Sequence, residues 1–289
     1  MNAEVLLQGI TSGLLIGSVY ALVAIGLTLV YGVLNIINFA HGALLVVGMY
    51  TSYFAFTYLG IDPYLSVLVV IPFLFIIGAL SQKIVINPLM DAPPHICVFV
   101  TIGLGYFLEN FLSFAWSPEY RNIQVSYANV ILSFYNVTIS VTRLVTFGFA
   151  ILLTLALYLF LKKTDTGKAI RACAQEKEAA VLMGIDTKRI YVITYGIGAA
   201  CAGAAGAFIL PFFYMGPYVG HTFLLTGFIV VVFGSMGNFW GAFLAGLIIG
   251  LGESIGEVFL PSAMKEVVSL SIFIIVLFFR PAGLMGNPR

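Results

Sequence analysis

The stretch VLLQGITSGLLIGSVYALVAIGLTLVYGV, residues 5–33, decides the fold class of this chain. It contains no charged residue, and it is longer than the ~20 apolar residues that a helix needs to cross a bilayer. It also lacks the alternation of polar and apolar residues that is typical of transmembrane β-strands. The stretch therefore predicts a membrane-spanning helix.

The composition of the whole chain supports the same environment. Of its 289 residues, 61% are hydrophobic and 9% are charged, whereas soluble domains have about 45–50% apolar and about 25% charged residues. We predict an all-α polytopic integral membrane protein with about eight or nine transmembrane helices, forming a single domain over residues 1–289. The apolar runs are 5–33, 40–60, 64–87, 95–116, 141–161, 190–215, 222–236, 239–260 and 267–279. The seventh run is short, so it either crosses the bilayer or re-enters it.

Basic residues predict the orientation in the membrane. Seven of the 13 Lys and Arg residues lie between Lys162 and Arg189, and the positive-inside rule places such a loop in the cytoplasm. Alternating the crossings from there predicts an external N-terminus and a cytoplasmic C-terminus. The chain then has an outer loop over 117–140 and a cytoplasmic loop over 162–190. Within the outer region, we expect residues 123–127 and 137–141 to pair as a short hairpin.

Polar residues interrupt the apolar sequence between the first two runs. The stretch YGVLNIINFAHGALLVVGMY, residues 31–50, contains Asn35, Asn38 and His41. One interpretation is a plain cytoplasmic turn, because Asn tolerates turn geometry. The other is a broken helix that dips into the bilayer, where unwound backbone is tolerated if it is buried in protein or lines a cavity. From the residues alone, both remain open.

Carboxylates also occur inside apolar runs. Glu109, next to Asn110, lies in the run 95–116, where a charged side chain costs about 2.5–3.5 kcal/mol on insertion scales. It is either a pathway residue or a group close enough to the outer end of its helix to reach water. Glu253 and Glu257 are one helical turn apart, and we expect them to form a solvated or interfacial face near the outer end of the run 239–260.

The sequence offers little for an enzyme. The three histidines are scattered, and neither they nor the three cysteines have the spacing of metal ligands. We expect buried or inert thiols, no catalytic residue, no metal site and no cofactor. A phosphate-binding motif of the type G-x-x-x-x-G-K-[ST] is also absent, so any ATP should be bound by another protein.

Four stretches carry a resemblance to a known family. They are GLTLVYGVLNIINFAHGALLVVGMY (26–50), DTGKAIRACAQEKEAAVLMGIDTKRI (165–190), GSMGNFWGAFLAGLIIGLGE (234–253) and KEVVSLSIFIIVLFFRPAGLMG (265–286). In this order they resemble the permease subunits of branched-chain amino acid ABC importers, the high-affinity leucine, isoleucine and valine uptake systems of bacteria. Urea and amide permeases of the same superfamily share the motifs, so the resemblance indicates the family better than the substrate.

The resemblance implies a multi-pass subunit of the bacterial inner membrane with an ABC importer permease bundle. Its expected partners are a second homologous permease, two cytoplasmic ATP-binding subunits and a periplasmic or extracellular substrate-binding protein. No nucleic acid partner is expected. Many relatives carry Gln where this chain has Glu109, which puts the substrate preference in doubt.

Two groups of site residues follow from the polar positions and the resemblance. The expected substrate path contains Asn35, Asn38, His41, Thr101, Glu109 and Asn110. The expected contacts with the ATPase are Arg171, Ala179, Ala180, Gly184 and Ile185 in a short amphipathic helix that ends at Gly184, and Ser235 and Gly237 in a second turn. The helix has another interpretation, a basic segment lying on anionic lipid headgroups.

Other functions compete with that of an importer of branched-chain amino acids. One is a permease of the same family for urea or amides. Another is a secondary transporter that works without ATPases, since an unpaired carboxylate inside the membrane fits proton coupling.

Overall fold

The computed structural model describes residues 3–90, 92–134, 137–261 and 264–286. This part of the chain contains eleven α-helices and one two-stranded hairpin, which confirms the all-α class. The helices are α1 (Ala3–Leu34), α2 (His41–Leu59), α3 (Pro63–Ser81), α4 (Pro94–Trp116), α5 (Val141–Lys163), α6 (Asp165–Gln175), α7 (Lys177–Leu182), α8 (Thr187–Ile209), α9 (Gly220–Gly234), α10 (Phe239–Phe259) and α11 (Lys265–Phe279). The strands are β1 (Ile131–Phe134) and β2 (Val137–Ser140).

Nine of these helices correspond to the nine predicted apolar runs. Within the described residues, seven are long and apolar enough to cross a membrane by length and composition. The other two, α9 and α11, have 15 residues each, about 22 Å of helix against a hydrocarbon core of about 30 Å. The count of eight or nine transmembrane helices therefore depends on how these two short helices are counted.

Helix α1 lies at the centre of the bundle and packs closely against α10. A Cβ atom added at Gly13 would lie 2.7 Å from the Cα atom of Leu251, and one at Gly250 would lie 2.4 Å from the Cα atom of Gly17. Real Cβ atoms essentially never come this close to a backbone atom. In lipid, where apolar side chains do not drive helices together, such close contact supplies dispersion energy. The glycines of the two helices thus permit this crossing.

Helix α8 carries a second stripe of small residues and is surrounded by three other helices. Gly198 packs on Gly26 of α1, while Gly203 and Gly206 face α3 and α2. A Cβ atom added at Gly206 would lie 2.3 Å from the carbonyl oxygen of Leu45. Helices α1 and α8 are the two most buried of the seven long spans, so the small residues of α8 let it approach its neighbours closely in the core of the bundle.

The two ends of the bundle can be assigned from pairs of contacts. Gly9 near the start of α1 packs on Ser254, and Gly32 near its end packs on Gly237, so α1 and α10 are antiparallel. After α11 the chain returns to this second end, where the amide of Leu284 donates to the carbonyl of Phe233 over 2.8 Å. The start of α1 and the segment after α11 therefore lie at opposite ends.

The hairpin at the first end differs from the predicted pairing. Strand β2 pairs antiparallel with β1, with Ile131 opposite Ser140, and not with residues 123–127. That segment packs inward instead, since Ile123 and Val125 are buried and the carbonyl of Val125 accepts from the amide of Ala128 in a turn. Residues 123–127 therefore lie outside the hairpin.

Candidate functional site

The polar segment after α1 is a break between two helices. Residues 35–40 are not helical, and Asn35 has a φ of 54°, a left-handed conformation that Asn tolerates better than most residues. Its amide donates to the carbonyl of Tyr31 over 2.8 Å. Helix α1 therefore ends with Asn35 in the position that Gly often occupies after a helix.

The break lies inside the bundle. Asn38 is 1% exposed, and the hydroxyl of Tyr195 donates to its Oδ1 over 2.9 Å. Thr101 Oγ1 lies 3.1 Å from the carbonyl oxygen of Ile37 and 3.3 Å from the amide nitrogen of Phe39. Thr101 and Tyr195 are about two turns into α4 and α8, roughly 10–12 Å from the helix starts. These contacts favour the broken helix over the plain cytoplasmic turn.

His41 opens α2 beside the middle of α1. Its Nε2 lies 3.1 Å from the carbonyl oxygen of Val23, and because a carbonyl only accepts, Nε2 carries the proton in this contact. Its Nδ1 has no hydrogen-bond partner among the described residues. A Cβ atom at Gly26 would lie 2.9 Å from His41 Cε1, so this glycine leaves room for the imidazole.

A second helix begins at the same place. Helix α9 follows the non-helical residues 210–219, in which Leu210, Met215 and Val219 are buried. A Cβ atom at Gly42 in the first turn of α2 would lie 2.4 Å from the carbonyl oxygen of Gly220, the first residue of α9. The N-termini of α2 and α9 therefore meet inside the bundle. Each is the positive end of a helix dipole.

A cavity of about 200 Å³, here called the α4–α9 cavity, lies beside these two N-termini. Glu109 from α4 and His221 from α9 line it, together with Phe39 from the break. The Glu109 side chain is 4% exposed, and its Oε2 lies 3.1 Å from Nε2 of His221. The structure thus gives the carboxylate a basic neighbour and places it next to the break.

Of the six expected path residues, Glu109 alone lines this cavity, Asn38, His41 and Thr101 are buried at the break, and two are exposed. The Asn110 side chain donates to the carbonyl of Tyr106 over 2.7 Å and is exposed on a face of α4 with Phe107 and Phe111. Asn35 is also exposed. Sequence reasoning missed His221, Phe39 and Tyr195 as members of the site, because their roles depend on contacts with residues far along the chain.

The expected coupling helix is two helices. Helices α6 and α7 are separated at Glu176, which has extended backbone with φ −154° and ψ 104°. Gly184 has a φ of 81°, and the amides of Gly184 and Ile185 donate to the carbonyls of Val181 and Ala180. These two bonds form a Schellman motif, which ends the helix. The predicted helix end at Gly184 agrees with the structure. The prediction of a single helix before Gly184 was wrong.

The tip of α7 is exposed and apolar. Ala180 is buried against the rest of the protein, whereas Leu182 is 88% and Met183 is 83% exposed. Ala179 and Gly184 are exposed beside them, and Ile185 is half-buried. Leu182 and Met183 were absent from the expected contacts, although their position just before a helix-ending glycine is visible in the sequence.

The second expected contact is a tight turn between α9 and α10. Ser235 and Gly237 have φ values of 87° and 84°, and the Asn238 side chain caps α10 by accepting from the amide of Gly241 over 2.9 Å. Gly237 is exposed, whereas Ser235 is half-buried. Gly237 and Arg171 of α6 line one cavity of about 310 Å³ at this end of the bundle.

The described residues contain no group of three or more His, Cys, Asp or Glu side chains that could hold a metal ion. Cys97, Cys173 and Cys201 are free and buried. At Cys173 in α6, burial raises the pKa of the thiol, which lowers the fraction of reactive thiolate.

Comparison with known proteins agrees with these features. The model of a family described as the permease component of branched-chain amino acid transport systems matches residues 9–277. The chain is 34% identical to the high-affinity branched-chain amino acid transport system permease protein LivH of Salmonella typhimurium, over 98% of this chain and 96% of that protein. It is 32% identical to the corresponding protein BraD of Pseudomonas aeruginosa, over the same shares. No solved structure matches the chain.

Proposed function

The chain belongs to the family of permease components of branched-chain amino acid transport systems, and from this membership we propose that it is the membrane subunit of an ATP-driven importer of branched-chain amino acids. The observation that carries the proposal is the family match over residues 9–277. Relatives named for this transport are covered almost from end to end. As a transport subunit, the chain moves its substrate without changing it chemically.

The substrate path of the proposal runs past the break between α1 and α2. Discontinuous helices commonly form substrate sites in transporters, because unwound backbone and helix ends offer polar groups inside the membrane. Here Asn38, His41 and Thr101 lie at the break, and Glu109 faces the adjoining α4–α9 cavity. Asn35 and Asn110 flank the path from exposed positions.

The tip of α7 is the proposed contact with the ATPase. Exposed apolar patches are typical of interaction surfaces, and Leu182 and Met183 lie next to each other at the exposed tip of α7. Ala179, Ala180, Gly184 and Ile185 shape this tip. Arg171 on α6 and the turn with Ser235 and Gly237 provide a second contact at the same end of the bundle.

The orientation in the proposal follows from charge. The end that carries α6 and α7 holds most of the basic residues, so it faces the cytoplasm of a bacterial cell. The start of α1 then lies outside and the C-terminus inside. The loop 117–140, with its hairpin, faces outward, where a substrate-binding protein docks, and a second homologous permease completes the transport path.

The experiment is uptake of labelled leucine into proteoliposomes that hold this chain with its co-encoded partners, with and without ATP on the ATPase side. We expect ATP-dependent uptake in the wild type and loss of uptake in a Gly184→Arg variant, since a non-glycine residue is strained at φ 81° and the arginine side chain would project into the proposed contact with the ATPase. ATP-driven uptake of urea or an amide without leucine uptake would support an ATP-driven importer but would contradict the proposed substrate.

A second candidate function has one observation in its favour. The contact between Glu109 and His221 places two titratable groups beside the same cavity, an arrangement that proton-coupled transporters use. This candidate predicts leucine uptake that ignores ATP and follows a proton gradient. Such a result would overturn the importer proposal.

A further inference from the structure

A second cavity, here called the outer cavity, lies on the other face of α9. It has a volume of about 180 Å³ and is lined by residues of α1, α5, α8, α9, α10 and α11 and by the non-helical residues before α9. Tyr20, in the middle of α1, lines the outer cavity. It lies about 21 Å along the helix axis from the end of α1 that is proposed to face the cytoplasm. The outer cavity therefore lies in the half of the bundle away from the ATPase. It suits a ligand smaller than the drug-sized molecules that fill pockets of about 300–1,000 Å³.

The deepest charged group of the outer cavity is Glu253. It is 3% exposed, so the expectation of a solvated or interfacial face was wrong for this residue. The hydroxyl of Tyr20 donates to its Oε2 over 2.8 Å, and that of Ser269 donates to its Oε1 over 2.7 Å. These two donors fix the carboxylate, yet each oxygen keeps a lone pair for a further donor.

Groups of opposite charge line the same outer cavity. Arg143, whose guanidinium lies 5.7 Å from the ring centroid of Phe212, and Lys265 supply positive charge, while Glu257 adds a second carboxylate. Arg143 and Glu257 are exposed, so the rim reaches water. None of the hydrogen bonds or ion pairs found in the described part of the chain joins one of these cations to Glu253 or Glu257.

Besides Ser12, Thr222 and Ser254, the remaining wall of the outer cavity is apolar. It is formed by Ile16, Phe212, Phe213 and Phe223, with the rings of Phe213 and Phe223 packed edge to face at 5.5 Å. Charges of both signs in a small apolar enclosure favour a ligand that itself carries both charges, since each buried charge then gains a partner. The apolar wall favours a ligand with an aliphatic side chain.

We propose that the outer cavity binds a zwitterionic amino acid with an apolar side chain, with its ammonium group at Glu253 and its carboxylate at Arg143 and Lys265. This inference rests on the proposed function, because it assigns a place in the chain where the transported amino acid is received from the outside. It adds an entry site before the α4–α9 cavity, on the opposite face of α9.

Direct binding tests the proposal without transport. Labelled leucine is bound to the purified transporter in the absence of ATP and binding protein, and is displaced with unlabelled leucine, 4-methylpentanoate or 3-methylbutylamine. The second compound lacks the amino group and the third lacks the carboxylate. We expect each to compete at least 10-fold more weakly than leucine in the wild type.

The variants separate a ligand contact from a structural role. Glu253→Gln should weaken leucine binding at least 10-fold and leave competition by 4-methylpentanoate unchanged or stronger, since only the ammonium loses its partner. Arg143→Gln should weaken leucine and 4-methylpentanoate and leave 3-methylbutylamine unchanged. Glu266→Gln is the control, because this exposed carboxylate lies on the same helix as Lys265 but does not line the outer cavity.

Failure of this inference is distinguishable from failure of the proposed function. ATP-driven leucine uptake with unchanged leucine binding in Glu253→Gln and Arg143→Gln would overturn the entry site and leave the importer in place. An equal loss of all three ligands in Glu253→Gln, with a lowered melting temperature, would reduce Glu253 to a structural role and also overturn it. Leucine binding that follows the predicted pattern, without ATP-driven uptake, would keep the site and overturn the function.

Discussion

Asn38 stabilises the break between α1 and α2 through its side-chain oxygen. Its Oδ1 accepts from the amide of Ala40 over 3.0 Å and from the hydroxyl of Tyr195 over 2.9 Å, so one side-chain atom fixes both the backbone turn and the contact with α8. A buried donor that loses its acceptor costs more than the bond itself contributes. Asn38 is therefore required for order at the break.

This role predicts unequal effects for two substitutions. Asn38→Ala leaves two buried donors without a partner and should cost about 1–3 kcal/mol of stability. Tyr195→Phe removes only one hydrogen bond and should cost about 0.6 kcal/mol, the average for such bonds between membrane helices. Thermal unfolding of the purified protein in detergent measures both. Equal losses in the two variants would show that Asn38 does not organise the turn.

Asn35 gives a prediction about backbone conformation. At φ 54°, a β-branched residue has a steric cost of about 1–2 kcal/mol, whereas Gly adopts this conformation freely. Asn35→Val should lower the melting temperature and Asn35→Gly should leave it nearly unchanged. The same detergent assay checks this pair, and a stable Asn35→Val variant would contradict the left-handed conformation.

The sequence indicated these residues but not their partners. Asn38, His41 and Glu109 are visible because a polar side chain in an apolar run is conspicuous. Tyr195 and His221 are 157 and 112 positions away from Asn38 and Glu109, and no local pattern connects them. Glu253 was misjudged for the same reason, since the donors Tyr20 and Ser269 belong to other helices.

At the scale of elements, small residues determine which helices meet. Gly48 of α2 and Gly203 of α8 are so close that a Cβ atom at Gly48 would lie 2.3 Å from the Cα atom of Gly203. Gly103 of α4, by contrast, has no atom within 4 Å of the same added Cβ. Glycines that look alike in the sequence therefore differ in what they permit.

The two glycines form a matched pair for substitution. Gly48→Ala should separate α2 from α8 and cost about 1–3 kcal/mol, the usual penalty of overpacking. Gly103→Ala should be neutral or stabilise by up to about 1 kcal/mol, because Ala is the better helix former. Thermal unfolding and leucine uptake are measured for both. Loss of stability in Gly103→Ala alone would refute the helix packing described here.

Helix α7 gives a prediction about coupling. Leu182→Asp and Met183→Asp change exposed side chains, so stability should change by no more than about 0.5 kcal/mol. Transport should nevertheless fall strongly, because the proposed apolar contact with the ATPase is lost. Leucine uptake and co-purification of the ATPase are the measurements, with Leu182→Met as the control that keeps the surface apolar. Normal uptake in both Asp variants would move the ATPase contact elsewhere.

Hydropathy predicted the apolar helices, including the short α9 and α11, because each run is continuous, but it gave no signal for the break between α6 and α7 or for the pairing of the hairpin. The boundary between α6 and α7 at Glu176 has neither Gly nor Pro to signal it, and the strand pairing of the hairpin depended on whether Ile123 and Val125 turn inward. In both places tertiary packing outweighed the local pattern.

At the scale of the whole molecule, two non-helical segments have equivalent positions. Residues 35–40 lead to the start of α2 and residues 210–219 lead to the start of α9, and these starts meet at Gly42 and Gly220. The α4–α9 cavity and the outer cavity lie on the two faces of α9. A movement of this short helix would therefore change both cavities together.

The same arrangement explains how a helix of 15 residues takes part in a full crossing. Residues 210–219 start at the end of α8, and α9 ends beside Gly237, which packs on Gly32 near the end of α1. The non-helical segment and α9 together connect the two ends of the bundle, which favours the upper value of the predicted eight or nine crossings. An even number of crossings would place the first and last segments at the same end, contrary to the contacts of Gly9 and Leu284.

Cysteine labelling tests this topology in the cell. The native cysteines are buried, so they contribute little background. We expect a membrane-impermeant maleimide to label Tyr120→Cys only from outside, and Lys188→Cys and Pro281→Cys only in inverted vesicles, since all three positions are exposed. If Pro281→Cys were labelled from outside while Lys188→Cys were labelled only in inverted vesicles, residues 210–234 would not cross the membrane. Reversal of all three patterns would instead invert the whole bundle and place α7 on the side that has no ATP.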